Sequence, residues 1–428
     1  MQKEKVSIFW FRRDLRVDDN HGLYQALTST VPVLPIFIFD SNILDELAAD
    51  DPRVSFIHAQ IVKLNELFKE RSSGLYVVKD NPRNAIEKII DKYDVQAVYF
   101  NEDYEPYAKQ RDAEIQNFLA DLNIRAESFK DHVIHAKDEI LKADQTPYTV
   151  YTPYKNKWME KLNNSSIEHF NSEKLTNYHK CILEIPSLKE IGFSKSTIKI
   201  SDYNLENIEI YENVRDFPAL AQTSNLSPHL RFGTVSLRMI LSKVLKHQAF
   251  VNELIWREFF IQILYHFPRV VNSNFKRKYD NILWRNNEED FKKWKNGETG
   301  YPMVDAGMRE LNATGYMHNR VRMITASFLC KHLLIDWMWG EAYFAEKLLD
   351  YELASNNGNW QWSAGTGCDA APYFRIFNPS EQVKKFDKDL TYIKKWIPEL
   401  ETLNYPLPMV DHKQARERAL RVYKKGIN

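Results

Sequence analysis

Four short apolar runs, separated by helix-patterned stretches, constrain the first third of this chain more than any other feature in it. The runs are VSIFWF at 6–11, VPVLPIFIFD at 31–40, LYVVKD at 75–80 and QAVYFNED at 96–103. Between them, apolar residues recur at helical spacing over roughly 53–71, 82–93 and 105–123. Strands this apolar, alternating with helices, find cover on both faces in a parallel sheet. The expectation is a doubly wound, Rossmann-like α/β domain. No G-x-G-x-x-G follows the first run, so a standard dinucleotide grip is not supported there.

The texture then changes. Residues from about 144 to 205, including KNKWMEKLNNSSIEHFNSEK, are polar with little periodicity and read as an interdomain connector. From about 206 onward, aromatic and aliphatic residues recur every three or four positions, which predicts a larger all-α domain. The division expected is 1–143, 144–205 and 206–428, and 428 residues accommodate two or three cores. Lys+Arg and Asp+Glu are equal at 58 each, so a polyanion partner would need a local basic surface. Cys181, Cys330 and Cys368 make no CxxC and no metal pattern. The N-terminus lacks a signal-peptide pattern, and no apolar run approaches the roughly 20 residues of a membrane span. These features predict a soluble, cytoplasmic protein without a metal.

Several constellations carry chemistry. NNGNWQWSAGTGCDAAPYFRIFNPSEQ at 356–382 mixes paired Asn, Gly and Arg among its rings, which a plain core segment does not need. Thr223, Ser224 and Ser227 place hydroxyls beside a Ser-Pro helix start, as a phosphate cradle or as ordinary N-capping. Glu253, Trp256, Arg257 and Phe260 share one helical face, and so do Asn319, Arg322 and Met323.

Together with FRRDLRVDDNHGL at 11–23, these strings resemble the signature of the photolyase/cryptochrome flavoproteins, and most nearly the bacterial class I cyclobutane pyrimidine dimer photolyases. The resemblance implies an FAD cofactor. Tyr211 and the run Thr223, Ser224, Asn225, Leu226 and Ser227 match the family's FAD-pyrophosphate segment. Arg257, Asn319, Arg322, Asp350, Tyr351 and Glu352 match further FAD contacts, Asp350 pairing with Arg322 beside the ring. Position 352 is commonly Asp in the family. Asn356 matches the residue facing flavin N5, where plant cryptochromes carry Asp and many animal ones Cys. Trp284, Trp337 and Trp360 match an electron-transfer chain.

On the substrate side, the resemblance implies a hydrogen bond from Glu253 to the damaged base. Trp256, Phe260 and Trp362 would wall the lesion, and Asn319, Arg320 and Met323 would meet it. Arg215, Arg375 and Gln382 fall on the DNA face. The implied activity is a light-driven carbon–carbon lyase reaction on cyclobutane pyrimidine dimers, in duplex or single-stranded DNA, by a monomer with no membrane partner. A cryptochrome-type photoreceptor and a (6-4) photolyase are the alternatives, and HNRVRM at 318–323 departs from the catalytic His cluster of the latter. The α/β domain would carry a second, antenna chromophore (folate, deazaflavin or flavin). Tyr107 and Ala108 stand where folate-binding bacterial members have an Asn-Glu pair.

Overall fold

The structure is a computed structural model describing residues 3–427. Its strands are β1 (Lys5–Phe11), β2 (Val33–Asp40), β3 (Tyr76–Asp80), β4 (Asp94–Asn101) and β5 (Arg125–Phe129). All pair in parallel, in the order β3-β2-β1-β4-β5. Between and after them run helices α1 (His21–Thr28), α2 (Ser41–Leu44), α3 (Pro52–Lys69), α4 (Pro82–Lys92) and α5 (Pro106–Asp121). All eight residues of β2 are buried, as a strand covered on both faces requires. One face of the sheet packs Phe9, Phe37 and Tyr99 against Leu23 of α1 and Ile61 and Phe68 of α3. The other packs Ile8, Ile36 and Val98 against Ile86 of α4 and Ile115 and Leu119 of α5. Helices α3, α4 and α5 each open with a proline at their first position, a residue that gives up no needed N–H there.

The doubly wound sheet is therefore present. Besides the four-residue α2, two of its elements had no expectation attached. Helix α1 is only eight residues long, and β5, RAESF, is a polar edge strand with no fully buried residue. The polar stretch read as a connector contains helix α6 (Tyr151–Asn163). Its signal is sparse, because only Tyr151, Tyr154, Trp158 and Leu162 are buried.

The remaining helices are α7 (Tyr211–Val214), α8 (Leu226–Phe232), α9 (Leu237–Val244), α10 (Gln248–His266), α11 (Glu288–Asn296), α12 (Pro302–Thr314), α13 (Asn319–Ser327), α14 (Trp337–Lys347), α15 (Leu353–Ala364), α16 (Pro379–Phe386), α17 (Thr391–Trp396) and α18 (His412–Ile427). By contacts the chain forms two compact units. The first holds Met1–Glu139, Trp158–Asp202 and Leu226–Lys246, and the second holds Ile140–Lys157, Tyr203–Asn225 and His247–Asn428. In the second, a core of Trp294, Met303, Val321, Leu329, Trp337, Phe344 and Trp360 lies among α11 to α15. No helix among the described residues is long and apolar enough to cross a membrane.

Candidate active site

Helix α15 organises the second unit, packing against α10, α13 and α14. It approaches two of them through glycine contacts. A Cβ on Gly358 would lie 2.1 Å from the Phe260 ring of α10, and one on Gly340 of α14 would lie 2.1 Å from the Trp360 ring. Glycine at both positions lets α15 bring its side chains up to its neighbours.

Three charged or polar pairs radiate from this contact. Arg322 of α13 donates to both Asp350 oxygens, at 3.1 and 2.9 Å, and its Nε donates to the Met317 carbonyl. Arg257 of α10 donates to Glu352 at 2.9 Å, and the Ser355 hydroxyl donates to the same carboxylate. The longer side chain at 352 thus keeps a guanidinium partner. Asn356 is buried, and its amide nitrogen donates to the Glu341 carbonyl at 3.0 Å and to the Glu341 carboxylate at 2.8 Å. A flipped amide would set its oxygen against two acceptors, so the network fixes the carbonyl as the group that can accept. Burial raises the Glu341 carboxyl pKa, and the Asn356 hydrogen bond pulls it back.

Of the residues expected on the substrate side, Glu253, Trp256 and Phe260 lie on α10, Asn319, Arg320 and Met323 on α13, and Trp362 on α15. Glu253 of α10 pairs with Arg215 at 2.8 Å. Burial raises the Glu253 carboxyl pKa, opposed by the Arg215 guanidinium. Trp256 stacks face to face on Tyr151, with centroids 3.6 Å apart, and meets Phe260 at 5.5 Å. Arg320 pairs with Asp216 at 2.6 Å and lies over the Phe386 ring. Its Nε is buried without a hydrogen-bond partner, and Nη1 faces the Met323 sulfur at 3.9 Å. Trp362, Met323 and Gln382 are half-buried, while Asn319 and Arg375 are exposed. Of the substrate-side arginines Arg215, Arg320 and Arg375, the first two are therefore already paired within the protein.

Tyr211 opens α7, edge-on to Phe250, with Arg215 over its ring. Thr223, Ser224 and Asn225 follow on an irregular segment where Asn225 takes φ +51°. Leu226 and Ser227 belong to the first unit and open the seven-residue α8, Leu226 buried and Ser227 exposed. Tyr351 is half-buried. Trp337 and Trp360 are buried in one apolar cluster, and Trp284 packs against it half-buried. Within the α/β unit, the Tyr107 hydroxyl donates to Asp40 at 2.6 Å and accepts from Asn42, and Ala108 is buried. That network occupies the hydroxyl of Tyr107, one of the two residues expected in place of the folate-binding pair.

Sequence reading missed Glu341, Asp216 and Tyr151. Each acts through a partner 15, 104 and 105 residues away respectively, so no local spacing betrays it. The side chains fit a flavin nucleotide, with a buried amide carbonyl presented as an acceptor and two guanidiniums held by carboxylates.

Comparison with known proteins agrees. Residues 7–173 match the family described as DNA photolyase, and 250–404 match the FAD binding domain of DNA photolyase. The deoxyribodipyrimidine photo-lyase of Synechococcus is 34% identical, over 97% of this chain and 96% of its own. A solved class III photolyase from Agrobacterium tumefaciens superposes with a TM-score of 0.88 at 33% identity, covering 100% of this chain and 98% of that one. An archaeal photolyase from Sulfolobus tokodaii, solved with two FAD molecules, gives 0.86 at 34%, covering 98% and 100%. With relatives matched across nearly its whole length, and an FAD-binding match that spans the paired guanidiniums and the Asn356 amide, this chain belongs to the DNA photolyase family.

Proposed function

We propose that the protein repairs cyclobutane pyrimidine dimers in DNA, using light and reduced FAD. The observation that carries the reading is the Asn356 amide, locked by Glu341 so that its carbonyl is the group left to accept. N5 of a reduced flavin carries a hydrogen and needs an acceptor, whereas N5 of an oxidised one does not. Bound FAD supplies light absorption and the transferable electron. The chain supplies placement. Arg257 and Arg322, each fixed by a carboxylate, would hold positive charge beside the ring. Glu253, held by Arg215, offers a carboxyl group to the edge of a base. Trp256, Phe260, Met323 and Trp362 offer it apolar surface. The dimer must leave the base stack to reach them, a step general to photolyases that costs a few kcal/mol and least for a distorted base.

We assign FAD and DNA binding to 206–428 and an accessory chromophore to 1–143, with 144–205 between them, in line with the family matches at 250–404 and 7–173. The archaeal relative solved with two FAD molecules favours a second chromophore, and the Tyr107–Asp40 hydrogen bond stands against the folate pattern. On the sequence grounds given above, we read the protein as a cytoplasmic monomer. The test uses purified, flavin-reduced protein with ultraviolet-irradiated oligothymidylate, following recovery of thymine absorbance. Recovery in blue light and none in darkness is expected. No recovery with the flavin bound and photoreducible would redirect the assignment to a photoreceptor or a (6-4) enzyme.

A further inference from the structure

We propose that Lys331 is a positioning residue for dimer recognition: its buried ammonium ties the C-terminus of α15, which carries Trp362, to the loop that carries Phe374 and Arg375, and so sets how both meet the lesion. This inference rests on reading Trp362 and Arg375 as contacts to dimer-containing DNA. Lys331 is almost wholly buried. Its Nζ donates to the Ala364 carbonyl at 2.6 Å and to the Tyr373 carbonyl at 3.3 Å, and lies 3.7 Å from the centre of the Tyr423 ring. Ala364 is the last residue of α15, two positions after Trp362, and Tyr373 directly precedes Phe374. Phe374 and Arg375 are both exposed. A single nitrogen thus joins the lesion-side helix to the exposed tip of the loop.

Packing alone does not account for this lysine. Its partners are two carbonyls and a ring, all uncharged, and a buried charge without a counter-charge is costly. An apolar side chain of similar volume would fill the space at less cost. The backbone is strained at the same place. Lys331 sits in a π-helical turn, Phe328–Leu333, a form rare in proteins and frequent at functional sites. Leu334 follows at φ +52°, a conformation that a bulky side chain seldom adopts. What the ammonium contributes is reach. It has three donors to divide between segments, and the Ala364 carbonyl lies at the negative end of the α15 dipole. Tyr423 of α18 braces the same join: its hydroxyl donates to Ala364 at 2.9 Å, and its ring stacks on Tyr373 with 4° between planes.

Burial holds the Lys331 pKa down to about 7, opposed by Cys330. The groups around it titrate elsewhere. On its own turn, burial pushes the Cys330 thiol up and holds His332 down to about 3. From α18, burial raises the Tyr423 phenol, and burial also raises the Asp336 carboxyl that acts on Cys330 and Tyr423. Arg421, Lys424 and Lys425 of α18 line an open groove with Tyr373 and are further cations. Lys331 is therefore the group of the join that changes charge near neutrality. Its charged hold on the loop is present below about pH 7 and lost above it, because a neutral amine attracts carbonyls and a ring face less.

The experiment titrates FAD-loaded protein with dimer-containing and undamaged oligonucleotides from about pH 6 to about pH 9, a range that brackets the Lys331 change. Wild type, Lys331→Met and Tyr423→Phe are compared, and repair per bound dimer is read in single flashes. Lys331→Met keeps the length of the side chain without its charge or donors. Tyr423→Phe removes the other donor to Ala364 and leaves the Tyr373 hold in place. The wild-type preference for dimer should fall as pH rises through about 7. Lys331→Met should lose roughly tenfold of that preference at the acid end, the scale of a charged hydrogen bond. It should show no pH step and keep the wild-type repair per bound dimer. Tyr423→Phe should keep both the preference and the step. A wild-type preference that stays flat across the range overturns the proposal, a result that needs no variant to fold. So does a Lys331→Met protein with the wild-type preference, or a Tyr423→Phe protein that loses as much, since the effect would then be general loosening. If wild type binds dimer and undamaged DNA alike at every pH, the underlying reading of the lesion face fails instead.

Discussion

The Asn356 amide donates both ways into Glu341, and this leaves its carbonyl as the group that, on the proposed reading, a reduced flavin would use. Asn356→Asp would replace that donor with a second carboxylate beside a first. Faster air reoxidation of the reduced flavin is the expected outcome, read as recovery of oxidised-flavin absorbance, and unchanged kinetics would remove Asn356 from the redox role. Trp362 tests the opposite face. Stacking is worth about 1–3 kcal/mol per base, so Trp362→Ala should weaken dimer binding roughly fivefold to a hundredfold while FAD stays bound. Titration with dimer-containing and undamaged oligonucleotides checks this, and equal losses on both would mean that Trp362 does not meet the lesion. Both residues stand within one motif of the sequence. Glu341, which sets the rotamer of one of them, does not.

Helix α13 carries Arg320, Arg322 and Met323 and starts on His318, whose ring nitrogen accepts the Arg320 backbone N–H at 3.2 Å. Burial and the neighbouring Arg322 guanidinium hold the His318 pKa down to about 4, with Arg320 and Arg215 adding to the effect and Asp216 opposing it. The folded protein therefore binds fewer protons than the unfolded chain between pH 6.5 and 4. Stability from this residue is fully present above pH 6.5 and lost as pH falls towards 4. At about 1.4 kcal/mol per pKa unit, the loss is about 3 kcal/mol. Denaturant midpoints across that range should show it, and His318→Asn, which retains a capping acceptor, should flatten the slope. An unchanged slope would place the acid sensitivity elsewhere, with buried His332 the next candidate. The helix was legible from GYMHNRVRMITASFLCK. That its cap would be a buried, uncharged histidine was not, because the burial of the ring and the approach of Arg215 and Asp216 come from packing across the helices.

For the molecule as a whole, a net charge of zero means that attraction to DNA must be local. Arg215 and Arg320 spend their charge on Glu253 and Asp216, whereas Arg375 is exposed over Phe377. Arg375→Ala should therefore lower the slope of log affinity against log salt by about 0.9 on duplex DNA, measured by titration from low to physiological salt. An unchanged slope would take Arg375 off the phosphate backbone. The sequence by itself determined the parallel sheet, because strand–helix alternation with apolar runs finds cover on both faces in that arrangement. It also determined the helical second half, and it carries the strings whose resemblance implies the flavin and lesion residues, because each string is contiguous or spaced by helical turns. What only the tertiary structure decided are the pairings across long separations. These include Asn356 with Glu341, Trp256 with Tyr151, and Arg320 with Asp216. Such partners come from different helices, and their distances follow from how α10 to α15 pack, a property that no local periodicity encodes.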